Sequence, residues 1–189
     1  MPRGVTGCMT AEPEAKIRQI SDVLDLEPHP EDGYFRESYR SSELIPETAL
    51  SGRYEGERSH STAIYFLLSE GTKSGIHRLH SDELWHFYLG GPLRLVQIFP
   101  DGRVEEVVLG SDVEAGHRLQ HAVPRECWFG AYPEPGSSFS LVGCTVAPGF
   151  DFADFEMGER EQLLAEFPHA RQIIEQLTDQ PHYPHGHGR

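Results

Sequence analysis

The sequence predicts a mainly β protein, a sandwich or barrel of short strands with helical segments near both ends of the chain. From residue 61 onwards, short runs rich in β-branched and aromatic residues alternate with turn clusters that contain Gly and Pro. The 189 residues include 19 Gly and 14 Pro, and the chain is 38% hydrophobic and 24% charged, which is an ordinary globular composition. Strands that recur at this short spacing are typical of an all-β sandwich or barrel.

Six runs are predicted as strands, over residues 61–68, 83–89, 93–99, 104–109, 120–123 and 139–146. Residues 33–40 interleave bulky and charged side chains and predict an earlier strand. Residues 41–60 are polar and have no clear period, so they predict the most flexible loop of the chain.

The helix and domain predictions follow from periodicity. Apolar residues at helical spacing predict an amphipathic helix over 11–26, and two more over 158–166 and 169–177, with Pro168 between them. We expect one domain over residues 11–178. The flanking residues 1–10 and the His-rich tail 179–189 are expected to be disordered rather than to hold a metal.

Charge and cysteine usage exclude several classes of function. The net charge is −14 and the chain has only two Lys, so phosphate backbones and anionic lipids would be repelled. No apolar run approaches the roughly 20 residues that cross a bilayer, and the first ten residues do not resemble a secretory signal. Cys8, Cys127 and Cys144 are widely spaced and odd in number, which favours reduced thiols and a cytoplasmic protein.

The most informative segment surrounds His77 and Glu83, which a polar turn, Ser81-Asp82, separates. We expect the two to lie on adjacent antiparallel strands. Because side chains alternate along a strand, residues 83, 85, 87 and 89 share one face, and residues 84, 86 and 88 share the other. An imidazole, a carboxylate and an aromatic wall that includes Trp85 would then meet in one largely apolar pocket.

Other residues are candidates for contacting a ligand, each with a competing structural interpretation. Arg36 and Arg40 bracket Tyr39 and either grip a ligand phosphate or carboxylate or pair with some of the 30 acidic residues. Tyr65 and Trp128 are either stacking walls or hydrophobic core. The chain contains neither a nucleophile elbow nor a phosphate-binding Gly loop.

Residues 71–90 resemble the first cupin motif. Gly71, His77, Glu83 and Gly90 match its Gly, first His, Glu and closing Gly. Leu79 stands where metal-binding cupins keep a second His, and His80 is displaced by one residue from that position, so that it points to the other face of a regular strand.

The second cupin motif is also incomplete in this chain. Pro124 matches its proline, but Glu126 replaces the turn Gly and Phe129 stands where the third His would be. Gln120 lies upstream of this motif, and its side chain would reach the pocket if it lay on the inward face of its strand.

Blocks along most of the chain are similar to the cupin-5 or DUF985 family. The matching blocks are residues 28–37, 61–68, 77–78, 81–88, 90, 92–93, 123–124, 128–131 and 140–150. The resemblance implies a double-stranded β-helix, the jelly-roll cupin barrel, commonly paired as a homodimer. It also implies likeness to cupins that epimerise sugar nucleotides.

Three functions follow as hypotheses. The first is a barrel that binds a small polar metabolite without assigned chemistry, lined by Arg36, Tyr39, Arg40, Tyr65, Trp85, Gln120, Trp128 and Phe129. The second is a sugar or sugar-nucleotide isomerase or epimerase in which His77 is the general base and Glu83 orients it. The third is an oxygenase or lyase with a divalent metal on His77, Glu83 and either Gln120 or His80.

Overall fold

The computed structural model describes residues 11–29 and 32–178, so the predictions for residues 1–10 and 179–189 lie outside the described residues. The helices are α1 (Ala11–Leu24), α2 (Arg160–Glu166) and α3 (Arg171–Leu177), with 3-10 turns at Glu47–Ala49, Phe152–Asp154 and Pro168–Ala170. The strands are β1 (Glu27–Pro28), β2 (Tyr34–Arg40), β3 (Leu44–Ile45), β4 (Arg58–Ser59), β5 (Thr62–Ser69), β6 (Ser74–Leu79), β7 (Asp82–Gly90), β8 (Leu93–Ile98), β9 (Val104–Leu109), β10 (Gln120–Val123), β11 (Trp128–Pro133), β12 (Phe139–Ala147) and β13 (Phe155–Met157).

Two antiparallel sheets form the body of the protein. One has the strand order β1-β2-β5-β12-β7-β10, and the other has the order β13-β6-β11-β8-β9. Both sheets take strands from distant parts of the sequence, as a jelly roll requires. The predicted double-stranded β-helix with a short N-terminal helix and C-terminal helices is therefore confirmed.

The main core lies between the sheets and follows the two-residue period of their strands. Phe66 and Leu68 of β5, Leu93 and Leu95 of β8, and Val142 of β12 are buried in this cluster. Each pair is two residues apart, so both members point to the same face of their strand. Alternation thus directs one face of each sheet inward.

The helices cover parts of the outer faces. Leu163 of α2 and Ile174 of α3 pack on the outward side of β8 and β11, against Ile98 and Trp128. Ile20 of α1 packs on Leu67 and Leu141, which lie on the two central strands of the six-stranded sheet. Within residues 11–29 and 32–178, no helix combines the length and the apolar character that a bilayer crossing requires.

His77 and Glu83 lie in opposite sheets, which differs from the expectation of adjacent paired strands. β6 pairs with β11 and β13, whereas β7 pairs with β12 and β10. The chain changes sheet at the bend of residues 80–81, where Ser81 Oγ donates to the carbonyl of Pro148 at 3.1 Å. The two side chains therefore face each other across the barrel.

A β-bulge in β7 corrects the predicted face of Leu89. Leu141 of β12 pairs with Leu89, but the next residue, Val142, pairs with Phe87, so Tyr88 is the extra residue. One extra residue reverses the alternation beyond it. Leu89 is 52% exposed as a result, although the pattern predicted the inner face.

Residues 41–60 are held by specific contacts, although the sequence predicted a flexible loop. β3 pairs with β4 inside this segment. Arg58 donates to both carboxylate oxygens of Asp154 at 2.7 Å, and both side chains are only 4% exposed. The Tyr54 hydroxyl lies 2.9 Å from Ser81 Oγ. This segment therefore ties the β6–β7 crossing to the turn at Phe152–Asp154.

Candidate ligand-binding site

A cavity of about 460 Å³ opens between the two sheets. Its wall is mostly apolar, and its polar groups are few, as in pockets that hold small molecules. The lining residues are His29, Phe35, Glu37, Arg40, Thr62, Ile64, Phe66, Ser74, His77, Leu79, Glu83, Trp85, Cys144, Val146, Phe150, Asp151, Phe152 and Phe155. A second depression, formed by residues 90–92 and 135–139, carries no ionisable side chain.

His77 is fixed in one tautomer on the cavity wall. Its Nδ1 lies 2.7 Å from the carbonyl oxygen of Gly75. A carbonyl only accepts, so Nδ1 carries the proton and Nε2 keeps a lone pair. The ring lies 4.2 Å from that of Phe129 and stacks at 5.1 Å on Phe155, measured between centroids. Burial lowers the pKa of His77 to about 4, so the imidazole is neutral at physiological pH.

Glu83 is fixed by its neighbour on the same strand face. The indole Nε1 of Trp85 donates to Glu83 Oε2 at 2.8 Å. Burial raises the pKa of the Glu83 carboxyl to about 7, and the indole hydrogen bond opposes that shift. The carboxyl therefore exchanges its proton near neutral pH. Cys144 lies close by on the wall, where burial and the Glu83 charge raise its thiol pKa.

No hydrogen bond joins His77 to Glu83 in the described part of the chain. The carbonyl of Gly75 orients the imidazole, and Trp85 orients the carboxyl. The two groups thus approach the cavity from opposite walls as separate hydrogen-bonding centres. His77 offers an acceptor, and Glu83 offers a donor when protonated and a second acceptor when ionised.

The mouth of the cavity carries the charged groups and three aromatic rings. Arg40 donates to both carboxylate oxygens of Glu37, at 2.9 and 2.7 Å, and also to the carbonyl of Phe150. The Phe152 ring is 81% exposed and lies 5.1 Å from that of Phe150 and 6.5 Å from that of Phe155. The mouth therefore has an aromatic rim, beside which Arg40 and Glu37 pair with each other.

Of the predicted ligand contacts, the structure brings Trp85 and Arg40 to the cavity together with His77 and Glu83. Arg36 instead pairs with Asp25 at the surface, and Tyr39 is 54% exposed outside the cavity lining.

Tyr65, Trp128 and Phe129 occupy other environments. Tyr65 lies on the outer face of the six-stranded sheet, 6.0 Å from Tyr88. Trp128 packs under the C-terminal helices, with the guanidinium of Arg78 4.5 Å above its ring. Phe129 is buried in the core behind His77. The core interpretation of Trp128 is therefore the one that matches its surroundings.

The described residues do not bring together the candidate ligands of the metal hypothesis, His77 and Glu83 with either Gln120 or His80. Gln120 is paired with His86 on the outer face, and its Nε2 donates to His86 Nδ1 at 3.0 Å. His80 lies outside the cavity, 2.9 Å from a carboxylate oxygen of Glu126. Within residues 11–29 and 32–178, no group of three His, Cys, Asp or Glu could hold a metal ion. His77 and Glu83 alone are too few protein ligands for a closed site.

Sequence reasoning missed His29 and the three aromatic residues of the mouth. His29 lies on the wall, 4.9 Å from Phe35 and 5.4 Å from Phe66, and burial lowers its pKa. The signal for the mouth was three Phe within six residues, at 150, 152 and 155, in an otherwise turn-forming stretch. Of the three, Phe152 is exposed, whereas Phe150 and Phe155 are partly buried against the core.

The Cupin_5 family, described as cupin superfamily (DUF985), matches residues 18–158. An uncharacterised protein from Saccharomyces cerevisiae is 32% identical over 160 residues, which are 79% of this chain and 80% of that protein.

Two solved structures agree with this match. A structural-genomics crystal structure from Shewanella oneidensis is 39% identical and has a TM-score of 0.76; the match covers 86% of this chain and 97% of that one. A hypothetical protein from Leishmania major is 34% identical with the same TM-score, over 85% of this chain and 97% of that one.

Proposed function

As this chain belongs to the Cupin_5 (DUF985) family of the cupin superfamily, we propose that it binds a small metabolite inside the barrel. The observation that carries the proposal is the convergence of His77 and Glu83 on a cavity of about 460 Å³ whose wall is mostly apolar. A cavity of this size and lining suits a molecule with an apolar body and two or three polar groups.

The ligand would be oriented by two fixed contacts. The lone pair on His77 Nε2 takes a ligand N–H or O–H, because Gly75 holds the opposite tautomer in place. The Glu83 carboxyl, steadied by Trp85, takes a second polar group. Both side chains are only 7% exposed, so these hydrogen bonds form away from bulk water, where an unpaired polar group is costly.

A crystal soak tests this proposal directly. Crystals exposed to a mixture of small hydroxylated and carbonyl-bearing fragments should show difference density within hydrogen-bond distance of His77 Nε2 or Glu83. A matched soak of the Glu83→Leu variant, which removes one contact and narrows the cavity, should lose that density. Density confined to other surfaces in the wild type would refute a binding role for the barrel.

A second candidate function is acid–base isomerisation, favoured by one observation. Burial raises the pKa of Glu83 to about 7, and a proton-transfer group works best near the operating pH. His77, with a pKa of about 4, is a weak base, so in this reaction Glu83 would move the proton and His77 would orient the substrate. This exchanges the roles that the sequence suggested.

Deuterium exchange tests the isomerase alternative. Wild-type protein in D₂O should exchange the proton beside the carbonyl of an accepted aldose or ketose, as NMR can follow. Glu83→Gln should abolish the exchange, whereas His77→Asn should mainly weaken binding. Exchange that survives Glu83→Gln would remove Glu83 from this role.

We also propose that the protein is a homodimer through the open part of the six-stranded outer face. Helix α1 packs on Leu67 and Leu141 of that face, whereas Tyr88, Leu89 and Leu119, on the adjoining β7 and just before β10, are 45–52% exposed. The neighbouring outward side chains of β7 and β10, His86 and Gln120, carry no carboxylate. In a chain with a net charge of −14, two copies of this face can meet without like-charge repulsion.

Light scattering coupled to gel filtration tests the dimer. The wild type should elute with twice the chain mass, and Tyr88→Glu should elute as a monomer because it would bring carboxylates of two copies together. Retention of the dimer in Tyr88→Glu would place the interface elsewhere.

A cytoplasmic location is the remaining proposal about the setting of this protein. Cys127 and Cys144 are buried free thiols, which suits a reducing compartment. Cell fractionation with an antibody to the intact chain tests it, and recovery from a secreted or membrane fraction would contradict it.

A further inference from the structure

The aromatic turn at the cavity mouth is held rigid from two sides. On one side, Asp154 forms the buried two-point ion pair with Arg58. On the other, the Arg40 guanidinium donates to the carbonyl of Phe150 at 3.2 Å. Asp151 caps the turn between these anchors, because its Oδ1 accepts from the next-but-one backbone N–H at 2.9 Å. The backbone of the mouth is thus fixed before any ligand arrives.

On this rigid turn, Phe152 is left 81% exposed. The edge-on contacts with Phe150 and Phe155 restrict the ring without burying it, at interplanar angles of 78° and 72°. Phe152 thus presents an open ring face at the rim of the cavity, on which a ligand can pack. A planar ring held in place in advance also loses little conformational entropy when a ligand packs on it.

The electrostatics of the cavity oppose an anionic ligand. Arg40 is the one Arg or Lys among the described residues that line it, and its guanidinium is already committed to Glu37 and to the carbonyl of Phe150. Glu37 and Asp151 put two carboxylates at the mouth, and Glu83 adds a third acidic group inside. His77 is neutral and contributes no compensating charge. An incoming phosphate or carboxylate would lose hydration and meet a surplus of negative charge.

We propose that this cavity selects an uncharged or cationic molecule with a planar ring that stacks on Phe152, and that it rejects phosphorylated and carboxylated molecules. The inference rests on the proposed ligand binding and names the chemical class of the ligand. It excludes nucleotide-linked sugars, because they carry phosphate groups.

A matched set of one-ring probes tests this selection by protein-observed NMR titration. The probes are benzyl alcohol, benzylamine, benzoate, phenyl phosphate and the non-planar analogue cyclohexylmethanol. The first two should bind at least about tenfold more tightly than benzoate and phenyl phosphate, because only the anions meet the carboxylate surplus. Benzyl alcohol should also bind more tightly than cyclohexylmethanol, because only a planar ring stacks on Phe152.

Two variants separate stacking from charge. Phe152→Ala should lower the affinity for benzyl alcohol about fivefold, which corresponds to the energy of one aromatic pair. The control Val23→Ala on α1 should leave that affinity unchanged. Glu37→Gln should release Arg40 from its partner and raise phenyl phosphate affinity about tenfold or more. Thermal melting of each variant confirms that it is folded.

The outcomes distinguish this inference from the proposed function. If anionic probes bind the wild type as well as neutral ones, or if Phe152→Ala leaves benzyl alcohol affinity unchanged, the ligand class is overturned while ligand binding stands. If no probe binds the wild type at any concentration tested, the proposed ligand binding itself fails, and the inference fails with it.

Discussion

The pH dependence of stability should separate His77 from Glu83, because burial moves their pKa values in opposite directions. The pKa of Glu83 rises from 4.5 to about 7, so between these values the folded state binds a proton that the unfolded state has released. The stability that Glu83 contributes is therefore lost as pH rises from 4.5 to 7. The pKa of His77 falls from 6.5 to about 4, so between these values the unfolded state binds a proton that the folded state does not. The stability that neutral His77 contributes is therefore lost as pH falls from 6.5 to 4.

The magnitude follows from the shifts. Each is about 2.5 pH units, and one unit corresponds to about 1.4 kcal/mol, so each group changes the free energy of unfolding by about 3.5 kcal/mol across its window. Between pH 4.5 and 6.5 the two contributions have opposite slopes and nearly cancel. The wild type therefore conceals both effects, and each appears when the other residue is removed.

Urea denaturation at intervals from pH 4 to 8 measures this. Relative to the wild type, Glu83→Gln should gain about 3.5 kcal/mol of stability as pH rises from 4.5 to 7, and His77→Asn should gain about 3.5 kcal/mol as pH falls from 6.5 to 4. Glu114→Gln, which removes an exposed carboxylate, controls for net charge. Difference curves that are flat, or that slope in the same direction for both variants, would refute the opposed burial of the two groups.

Three further predictions concern the frame around the cavity. Arg58→Met should lower the free energy of unfolding by about 3–5 kcal/mol in urea denaturation, because it leaves Asp154 charged and buried. The double variant with Asp154→Leu should recover most of that loss. Equal stability of the wild type, the single variant and the double variant would contradict a buried pair. In a variant in which Cys8 is replaced, Cys127 and Cys144 should react with a thiol reagent at pH 8 only after unfolding. Burial raises the pKa of both thiols, that of Cys127 to about 11. Equilibrium dialysis against micromolar Mn²⁺ or Zn²⁺ should leave less than about 0.1 equivalent of metal bound within residues 11–178, since two protein ligands make a weak site. A full equivalent of bound metal would show that further ligands join His77 and Glu83.

The alternation of β7 was predictable from the sequence, and so were β2, β5 and β12 of the same sheet, whereas β6, β11 and β13 were not among the predicted strand runs. Glu83 and Trp85 are two residues apart in a run of bulky side chains, and the structure hydrogen-bonds them on one inward face. The period of two decides this locally, without knowledge of the partner strands. The bulge at Tyr88 was not predictable in the same way, because it arises from the pairing with β12.

Features that depend on long-range pairing were missed. The phase of Gln120 is set by its pairing with His86, which turns both outward, and a four-residue strand has too weak a pattern to fix its phase. Residues 41–60 lack periodicity, yet Arg58 anchors them through a partner 96 residues away. The three closely spaced Phe at 150, 152 and 155 were a signal in the sequence, but the exposure of Phe152 at the cavity mouth depends on the turn that presents it.

The two tryptophans allow the most direct test of ligand binding in the barrel. Trp85 lines the cavity, whereas Trp128 lies on the other side of the opposite sheet beneath the C-terminal helices. In an NMR titration with benzyl alcohol, the indole N–H resonance of Trp85 should shift saturably, and that of Trp128 should stay in place. A Trp85 resonance that does not move at saturating probe, or equal shifts of both indoles, would contradict a ligand site between the sheets.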